Sequence, residues 1–202
     1  GVKAIVVACN TATAHALPML REERAIPVIG VVEPGARAAV AATRSGTIGV
    51  IGTVGTVRSG AYERAIRALR PDARIVAQAC PLFVPLVEEG WTDREATRLI
   101  AQEYLEPLTH EHIDTLVLGC THYPLLKPLL HARLGADVRL IDSGEETAAE
   151  TARVLASRGL TAPSGAVPTY RFVCSDEPSR FLALGQRFLG GAIDDVERLP
   201  LG

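Results

Sequence analysis

The sequence has 202 residues, 48% of them apolar, and a formal net charge of -2 at pH 7. This length allows one large domain or two small ones. No apolar run approaches the roughly 20 residues of a membrane-spanning helix, and Lys and Arg are scattered along the chain, so neither a membrane span nor a nucleic-acid surface is indicated.

The four cysteines (Cys9, Cys80, Cys120 and Cys174) all lie in or beside apolar segments, and no two form a Cys-x-x-Cys pair. This pattern argues against a disulfide scaffold, a zinc ribbon or a thioredoxin-like site, and it predicts free thiols in the reducing cytoplasm. The chain begins with neither an initiator Met nor a signal peptide. We therefore expect it to be cut from a longer protein.

Short apolar runs alternate with segments of helical periodicity, which is typical of an α/β fold. The predicted strands are 4–8, 27–32, 47–52, 74–79, 113–119, 137–141 and 169–173. The predicted helices are 12–24, 34–44, 58–69, 93–111, 124–133, 145–158 and 178–189. The strands are continuous apolar runs, which predicts parallel sheets covered on both faces. Capping-box spacing marks two of the helix starts, at Thr92 with Glu95 and at Ser143 with Glu146.

Residues 4–11 and 115–122 have the same pattern: an apolar strand, a cysteine, small hydrogen-bonding side chains and then a helix. The repetition predicts two similar lobes related by pseudo-two-fold symmetry. We place the second lobe at 34–141 and build the first from 1–33 and 142–202. Polar groups of buried parallel strands collect at the carboxyl ends, so Cys9 and Cys120 are expected to face one another across the cleft between the lobes.

Two opposed thiols can move a proton from one face of a carbon to the other. A free thiol with a pKa of about 8.5 is only slightly ionised at neutral pH, and the helix that follows each cysteine offers N–H groups that favour the thiolate. This acid–base chemistry needs neither a metal nor a cofactor. The alternative is that Cys9 and Cys120 simply fill buried strand ends, as cysteines often do.

The residues next to the two cysteines are candidates for holding a substrate. Asn10, Thr11 and Thr121 either cap the following helices or present amide and hydroxyl groups to a carboxylate. His122 could buffer the thiolate of Cys120, donate to a substrate carboxylate, or be structural.

A glycine-rich turn at 52–56 follows a predicted strand and matches neither a Walker loop nor a dinucleotide fingerprint. The hydroxyls of Thr53 and Thr56 could reach an anion at the strand ends. Among the acids Glu33, Glu88 and Glu89, one could orient His122 or bind an ammonium group, although a solvated surface position explains each of them equally simply.

Three segments together resemble a known family. They are VACNTA at 7–12, GTVGT at 52–56 and GCTHYP at 119–124. They resemble the glutamate racemases, which belong to the cofactor-independent aspartate/glutamate racemase superfamily. The Cys-Asn-Thr element alone would indicate only the superfamily, whereas the Cys-Thr-His-Tyr-Pro element is more specific for the glutamate enzymes.

The resemblance implies two α/β lobes with glutamate enclosed between them and no cofactor. It also implies that Cys9 and Cys120 are the acid/base pair on opposite faces of the α-carbon. Family members supply D-glutamate for peptidoglycan and often form dimers, so a homodimer is one expectation. The substrate-holding residues implied by the resemblance are Asn10, Thr11, Thr121 and His122, with Thr53 and Thr56 as lesser candidates.

The family also has an amino-terminal strand with an Asp-Ser pair and a later Tyr-Gly segment, and neither has a counterpart in this sequence. We therefore expect the chain to lack the family's amino-terminal segment. Two alternative functions stay open. One is a related racemase acting on aspartate or a hydantoin, and the other is a non-catalytic module that binds carboxylates.

Overall fold

The computed structural model describes residues 1–191 and 193–200. The chain forms two compact units, one at residues 1–161 and the other at 162–202. Every residue of the predicted site lies in the first unit. The lobe boundaries predicted above, 1–33 with 142–202 against 34–141, stay a prediction.

The first unit alternates strands and helices along the chain. Its strands are β1 (Ile5–Val7), β2 (Val28–Gly30), β3 (Thr47–Gly52), β4 (Arg74–Ala79), β5 (Thr115–Gly119) and β6 (Arg139–Asp142). Its helices are α1 (Asn10–Glu23), α2 (Val32–Ala42), α3 (Val54–Arg58), α4 (Ala61–Leu69), α5 (Phe83–Glu88), α6 (Glu95–His110), α7 (Lys127–Leu134) and α8 (Ser143–Ser157), with a 3₁₀ turn at Tyr123–Leu126.

Two parallel sheets are present in this unit, which confirms the predicted α/β class. One contains β1 and β2, and the other has the strand order β4-β3-β5-β6. Side chains alternate between the two faces of a strand, so Leu116 and Leu118 of β5 pack with α5, α6 and α7, whereas Val117 packs with α2 and α4. Both faces are therefore covered, which explains why the strands are continuous apolar runs.

The register of the larger sheet aligns the carboxyl ends of three strands. Gly52 of β3 is paired with Gly119 of β5 and with Ala79 of β4. The next residue on each strand is consequently at the same edge of the sheet, namely Thr53, Cys120 and Cys80.

Several predicted elements needed correction. The helix predicted at 58–69 begins only at Ala61, as α4, because Gly60 before it has a left-handed backbone with φ of 63°, and the short helix α3 that precedes it was not predicted. Helix α5 was not predicted, since it is only six residues long and contains Pro85. Neither predicted capping box is present: Arg94 precedes α6 without a side-chain cap, and Asp142 rather than Ser143 caps α8.

The second unit is small and contains β7 (Val173–Cys174), α9 (Pro178–Leu189) and β8 (Glu197–Arg198), with β7 and β8 parallel. The strand predicted at 169–173 is thus observed only at its last residue and the residue after it. Among the residues that the structure describes, no helix is both long enough and apolar enough to cross a membrane.

Candidate active site

Cys9 lies at the amino end of α1, and Ala8 separates it from β1. It is exposed, its backbone is extended, and its Sγ accepts a hydrogen bond from the backbone N–H of Ala12 at 3.5 Å. The thiol is therefore the N-cap of α1. A sulfur in this position faces the positive end of the helix, where a negative charge is favoured.

Cys120 follows β5 and is buried, with 6% of its surface exposed. Burial raises the pKa of this thiol to about 11, although the backbone N–H groups of His122 and Tyr123 act in the opposite direction. Cys9 lies close enough for a negative charge on its sulfur to raise the pKa of Cys120 further. A state in which both thiols are ionised is therefore disfavoured.

His122 connects the Cys120 thiol to a carboxylate. Its Nδ1 lies 3.9 Å from the Sγ of Cys120 and 3.5 Å from the hydroxyl of Thr121, and its Nε2 lies 3.0 Å from Oε1 of Glu88. A carboxylate is only an acceptor, so Nε2 carries the proton that the two share. In the neutral ring Nδ1 is then an acceptor that faces the thiol.

Three of the predicted substrate-holding residues form a triangle of hydroxyl groups. Thr11 Oγ1 lies 2.8 Å from Thr53 Oγ1 and 3.0 Å from Thr56 Oγ1, and Thr53 lies 3.1 Å from Thr56. Thr53 also caps α3 by accepting from the backbone N–H of Thr56. The triangle joins the first turn of α1, next to Cys9, to the end of β3.

Asn10 is buried rather than open to the surface, with 2% of its area exposed. The hydroxyl of Tyr62 donates to its Oδ1 at 2.6 Å, and its Nδ2 donates to Ser143 Oγ at 3.4 Å. Ser143 in turn donates to the carbonyl of Leu118 at 3.1 Å. These contacts tie the residue after Cys9 to the strand that leads to Cys120.

The structure thus groups the predicted residues around the two cysteines. Cys9, Asn10 and Thr11 begin α1, Thr53 and Thr56 meet them from α3, and Cys120, Thr121 and His122 follow β5. Thr121 is the most exposed of the last three.

Tyr62 was not predicted. Its only signal in the sequence is a large aromatic residue with a polar tip in a chain that has just 4% aromatics. Glu88 and His122 are separated by 34 in the sequence, so the sequence did not indicate which acid contacts the histidine.

The other acids have different partners. Glu33 forms a salt bridge with Arg21 at 2.8 Å, and the hydrogen bond from that guanidinium holds the pKa of Glu33 below its usual range. Glu89 is exposed beside Glu88. Across residues 1–191 and 193–200, no group of three or more His, Cys, Asp or Glu side chains is arranged to hold a metal ion.

Comparisons with known proteins identify the family of this chain. The family model described as Asp/Glu/Hydantoin racemase matches residues 1–151. The glutamate racemase of Geobacter metallireducens is 52% identical over 200 residues, which is 99% of this chain and 74% of that protein.

Solved structures also match nearly the whole of this chain. A glutamate racemase isoform from Bacillus anthracis superposes with a TM-score of 0.92 at 43% identity, covering 100% of this chain and 74% of that one. A glutamate racemase from Francisella tularensis, in complex with D-glutamate, gives a TM-score of 0.90 at 35% identity and covers 98% of this chain and 73% of that one. On this evidence the chain is a racemase that belongs to the Asp/Glu/hydantoin racemase family.

Proposed function

We propose that the protein interconverts L- and D-glutamate by a two-base mechanism without a cofactor, with Cys9 and Cys120 as the acid/base pair. The observation that carries the proposal is the pair itself. Both thiols follow parallel strands and precede helical turns, and the charge of one raises the pKa of the other. The choice of glutamate rests on the relatives, which carry the name glutamate racemase at up to 53% identity.

The proton transfer needs one thiolate and one thiol. A thiolate on one side takes the proton from Cα and becomes a thiol, and the electron pair stays on the substrate as a carbanion. The thiol on the other side then gives its proton to the opposite face of Cα and becomes a thiolate. The two cysteines have exchanged protonation states, and the product has the opposite configuration.

His122 and Glu88 serve the Cys120 side in this proposal. Because the pKa of Cys120 is about 11, this thiol is protonated at neutral pH when no substrate is bound. It is ready to donate a proton, but a base must help it to act in the other direction. Nδ1 of His122 lies 3.9 Å from this sulfur, and Glu88 holds the imidazole in the tautomer in which Nδ1 is an acceptor.

The hydroxyl triangle and Asn10 bind the substrate in this proposal. Hydroxyls can both donate and accept, so Thr11, Thr53 and Thr56 can turn their protons towards a carboxylate. The amide nitrogen of Asn10 carries two hydrogens, one of which reaches Ser143. We assign the second, together with Thr121, to the substrate. Fixed donors around the substrate lower the cost of the carbanion as charge develops on it.

The test is to incubate the protein with each enantiomer of glutamate, aspartate and 5-substituted hydantoins in D₂O. Circular dichroism then follows racemisation, and NMR follows deuterium entry at Cα. We expect both enantiomers of glutamate to racemise with deuterium incorporation, and the other compounds to react much more slowly.

The other outcomes separate the alternatives. Faster reaction of aspartate or a hydantoin would replace glutamate as the substrate and keep the chemistry. Binding of glutamate without exchange at Cα would indicate a carboxylate-binding module and would overturn the proposal.

The resemblance extends the proposal to the cell. We propose that the D-glutamate supplies peptidoglycan synthesis and that the protein acts in the cytoplasm, where its four free thiols would stay reduced. We also propose a homodimer, since members of the family often form dimers.

A further inference from the structure

We propose that Tyr62 and Ser143 are positioning residues that fix the separation of the two thiols by holding Asn10, and that neither touches the substrate. This inference rests on the proposed two-thiol function. The elements it joins are α1, which begins beside Cys9, and β5, which ends beside Cys120.

The direction of every hydrogen bond in this network follows from its last acceptor. The carbonyl of Leu118 can only accept, so Ser143 must donate its single hydroxyl proton there. Ser143 Oγ must then accept from Asn10, which places the NH₂ group of Asn10 towards the serine. The oxygen of Asn10 consequently faces Tyr62, and the tyrosine hydroxyl donates to it.

The network is buried at each of its side chains. The exposed fraction is 3% for Tyr62, 2% for Asn10 and 1% for Ser143. Burial raises the pKa of the Tyr62 hydroxyl well above its usual range, so it is a donor at every pH at which the protein would be studied. Buried polar groups that satisfy one another in this way define a single arrangement of the elements they join.

Two glycines make room for the tyrosine. A Cβ on Gly119, the residue before Cys120, would lie 3.2 Å from Cε2 of Tyr62, and a Cβ on Gly35 would lie 3.2 Å from its hydroxyl. The Tyr62 ring is thus packed against the end of the strand that carries Cys120, while its hydroxyl holds the residue next to Cys9. One side chain therefore contacts the residue that follows Cys9 and the residue that precedes Cys120.

Loss of the hydrogen bond between Tyr62 and Asn10 is expected to change the distance between the thiols. The main effect should therefore be on kcat rather than on KM. A displacement of about 1 Å at a reacting group can reduce turnover by roughly 100-fold. We expect Tyr62→Phe and Ser143→Ala each to lower kcat about 10- to 100-fold and to change KM by less than about 3-fold. Tyr62→Phe keeps the ring and its packing and removes only the hydroxyl. Ser143→Ala removes the hydrogen-bond partner on the opposite end of the Asn10 amide.

The matched control is Tyr104→Phe. The hydroxyl of Tyr104 accepts a hydrogen bond from the backbone N–H of Leu82 and has no contact with Asn10. This variant makes the same chemical change on a second tyrosine, and we expect its kcat to stay within about 2-fold of the parent protein.

Two further measurements distinguish positioning from a general loss of stability. In an Asn10→Ala background, Tyr62→Phe should lower kcat much less than it does in the parent protein, because the hydrogen bond from Tyr62 to Asn10 is already absent there. The second measurement uses dibromobimane, which becomes fluorescent when it bridges two thiols, with peptide mapping to identify the bridge. The yield of the Cys9–Cys120 bridge should fall in Tyr62→Phe and Ser143→Ala, and it should be unchanged in Tyr104→Phe.

The bridging yield does not depend on racemisation, so it tests the positioning role even if the protein fails to racemise glutamate. The inference is overturned if both network variants keep the parent kcat and bridging yield. It is also overturned if Tyr62→Phe lowers kcat equally with and without Asn10.

Discussion

Cys9 and Cys120 both lie just beyond the end of a parallel strand, yet their surroundings differ. Cys9 is exposed and caps α1, whereas Cys120 is buried and has His122 and Glu88 behind it. Cys9 lies at the amino end of a helix, whereas burial raises the pKa of Cys120. The proposed mechanism thus uses two thiols in unlike surroundings for one symmetric reaction.

The largest expected effect comes from removing either thiol. Cys9→Ser keeps an N-cap on α1, since serine is a favoured capping residue, and Cys120→Ser keeps the shape of the buried position. A hydroxyl is far less acidic than a thiol, so each variant should lose at least about 1,000-fold in racemisation. The enantiomers have equal free energy, so the loss in kcat/KM must be the same in both directions.

The matched control is Cys174→Ser, which changes a cysteine of the second unit. We expect it to racemise glutamate at the parent rate in the same circular dichroism assay. Full activity in either active-site variant would show that its thiol is not part of the acid/base pair.

The next largest effect concerns the surroundings of Cys120 alone. Glu88→Gln removes the charge that fixes the imidazole beside Cys120, and we expect kcat to fall about 10- to 100-fold. Glu89→Gln is the matched control, because this neighbouring carboxylate is exposed, and steady-state kinetics of both variants make the test. Equal effects at the two positions would argue against a specific role for the Glu88–His122 contact.

A smaller effect is expected at the hydroxyl triangle. Thr11→Val keeps the shape of the side chain but removes one neutral hydrogen-bonding group, which should raise KM for glutamate about 5- to 10-fold with little change in kcat. Thr109→Val is the control, since the hydroxyl of this exposed threonine donates to the carbonyl of Leu105 in the same helix. A fall in kcat at constant KM would place Thr11 in proton transfer rather than in binding.

The smallest effect concerns the pH dependence of the Cys120 thiol itself. Its pKa of about 11 means that the thiolate fraction, and with it the alkylation rate, should rise about tenfold per pH unit from pH 7 to 10. In Cys9→Ser the charge that raises this pKa is absent, so the profile should move to lower pH. Mass spectrometry of iodoacetamide-treated protein measures the alkylation rate of Cys120 in the parent protein and in Cys9→Ser. Identical pH profiles would show that the charge of Cys9 does not affect the pKa of Cys120.

Much of this arrangement was predictable because it is local in sequence. Strands β3 and β4 match their predicted bounds, since each contains a run of apolar residues between turns. The grouping of Thr53 with Thr56 follows from the cap at the start of α3. The strand-end position of both cysteines follows from the same α/β pattern.

The parts that could not be predicted depend on contacts between distant residues. Tyr62 and Asn10 are 52 positions apart, and their hydrogen bond depends on how α1 and α4 meet at the sheet edge. The pattern around Asn10 predicted a helix cap or a substrate contact, and it gave no sign that the side chain is buried against a tyrosine. Asp142 rather than Ser143 also caps α8, and the hydroxyl of Ser143 donates to the carbonyl of Leu118 instead.

The most direct test of the two-thiol account is deuterium exchange at Cα in the two single-thiol variants. Each variant keeps one base and lacks its partner, so it can remove and return a proton on one face only. We predict that Cys9→Ser slowly exchanges the Cα proton of one enantiomer of glutamate without inverting it, and that Cys120→Ser does the same with the other enantiomer. Exchange of the same enantiomer by both variants, or of both enantiomers by either one, would contradict the assignment of one thiol to each face.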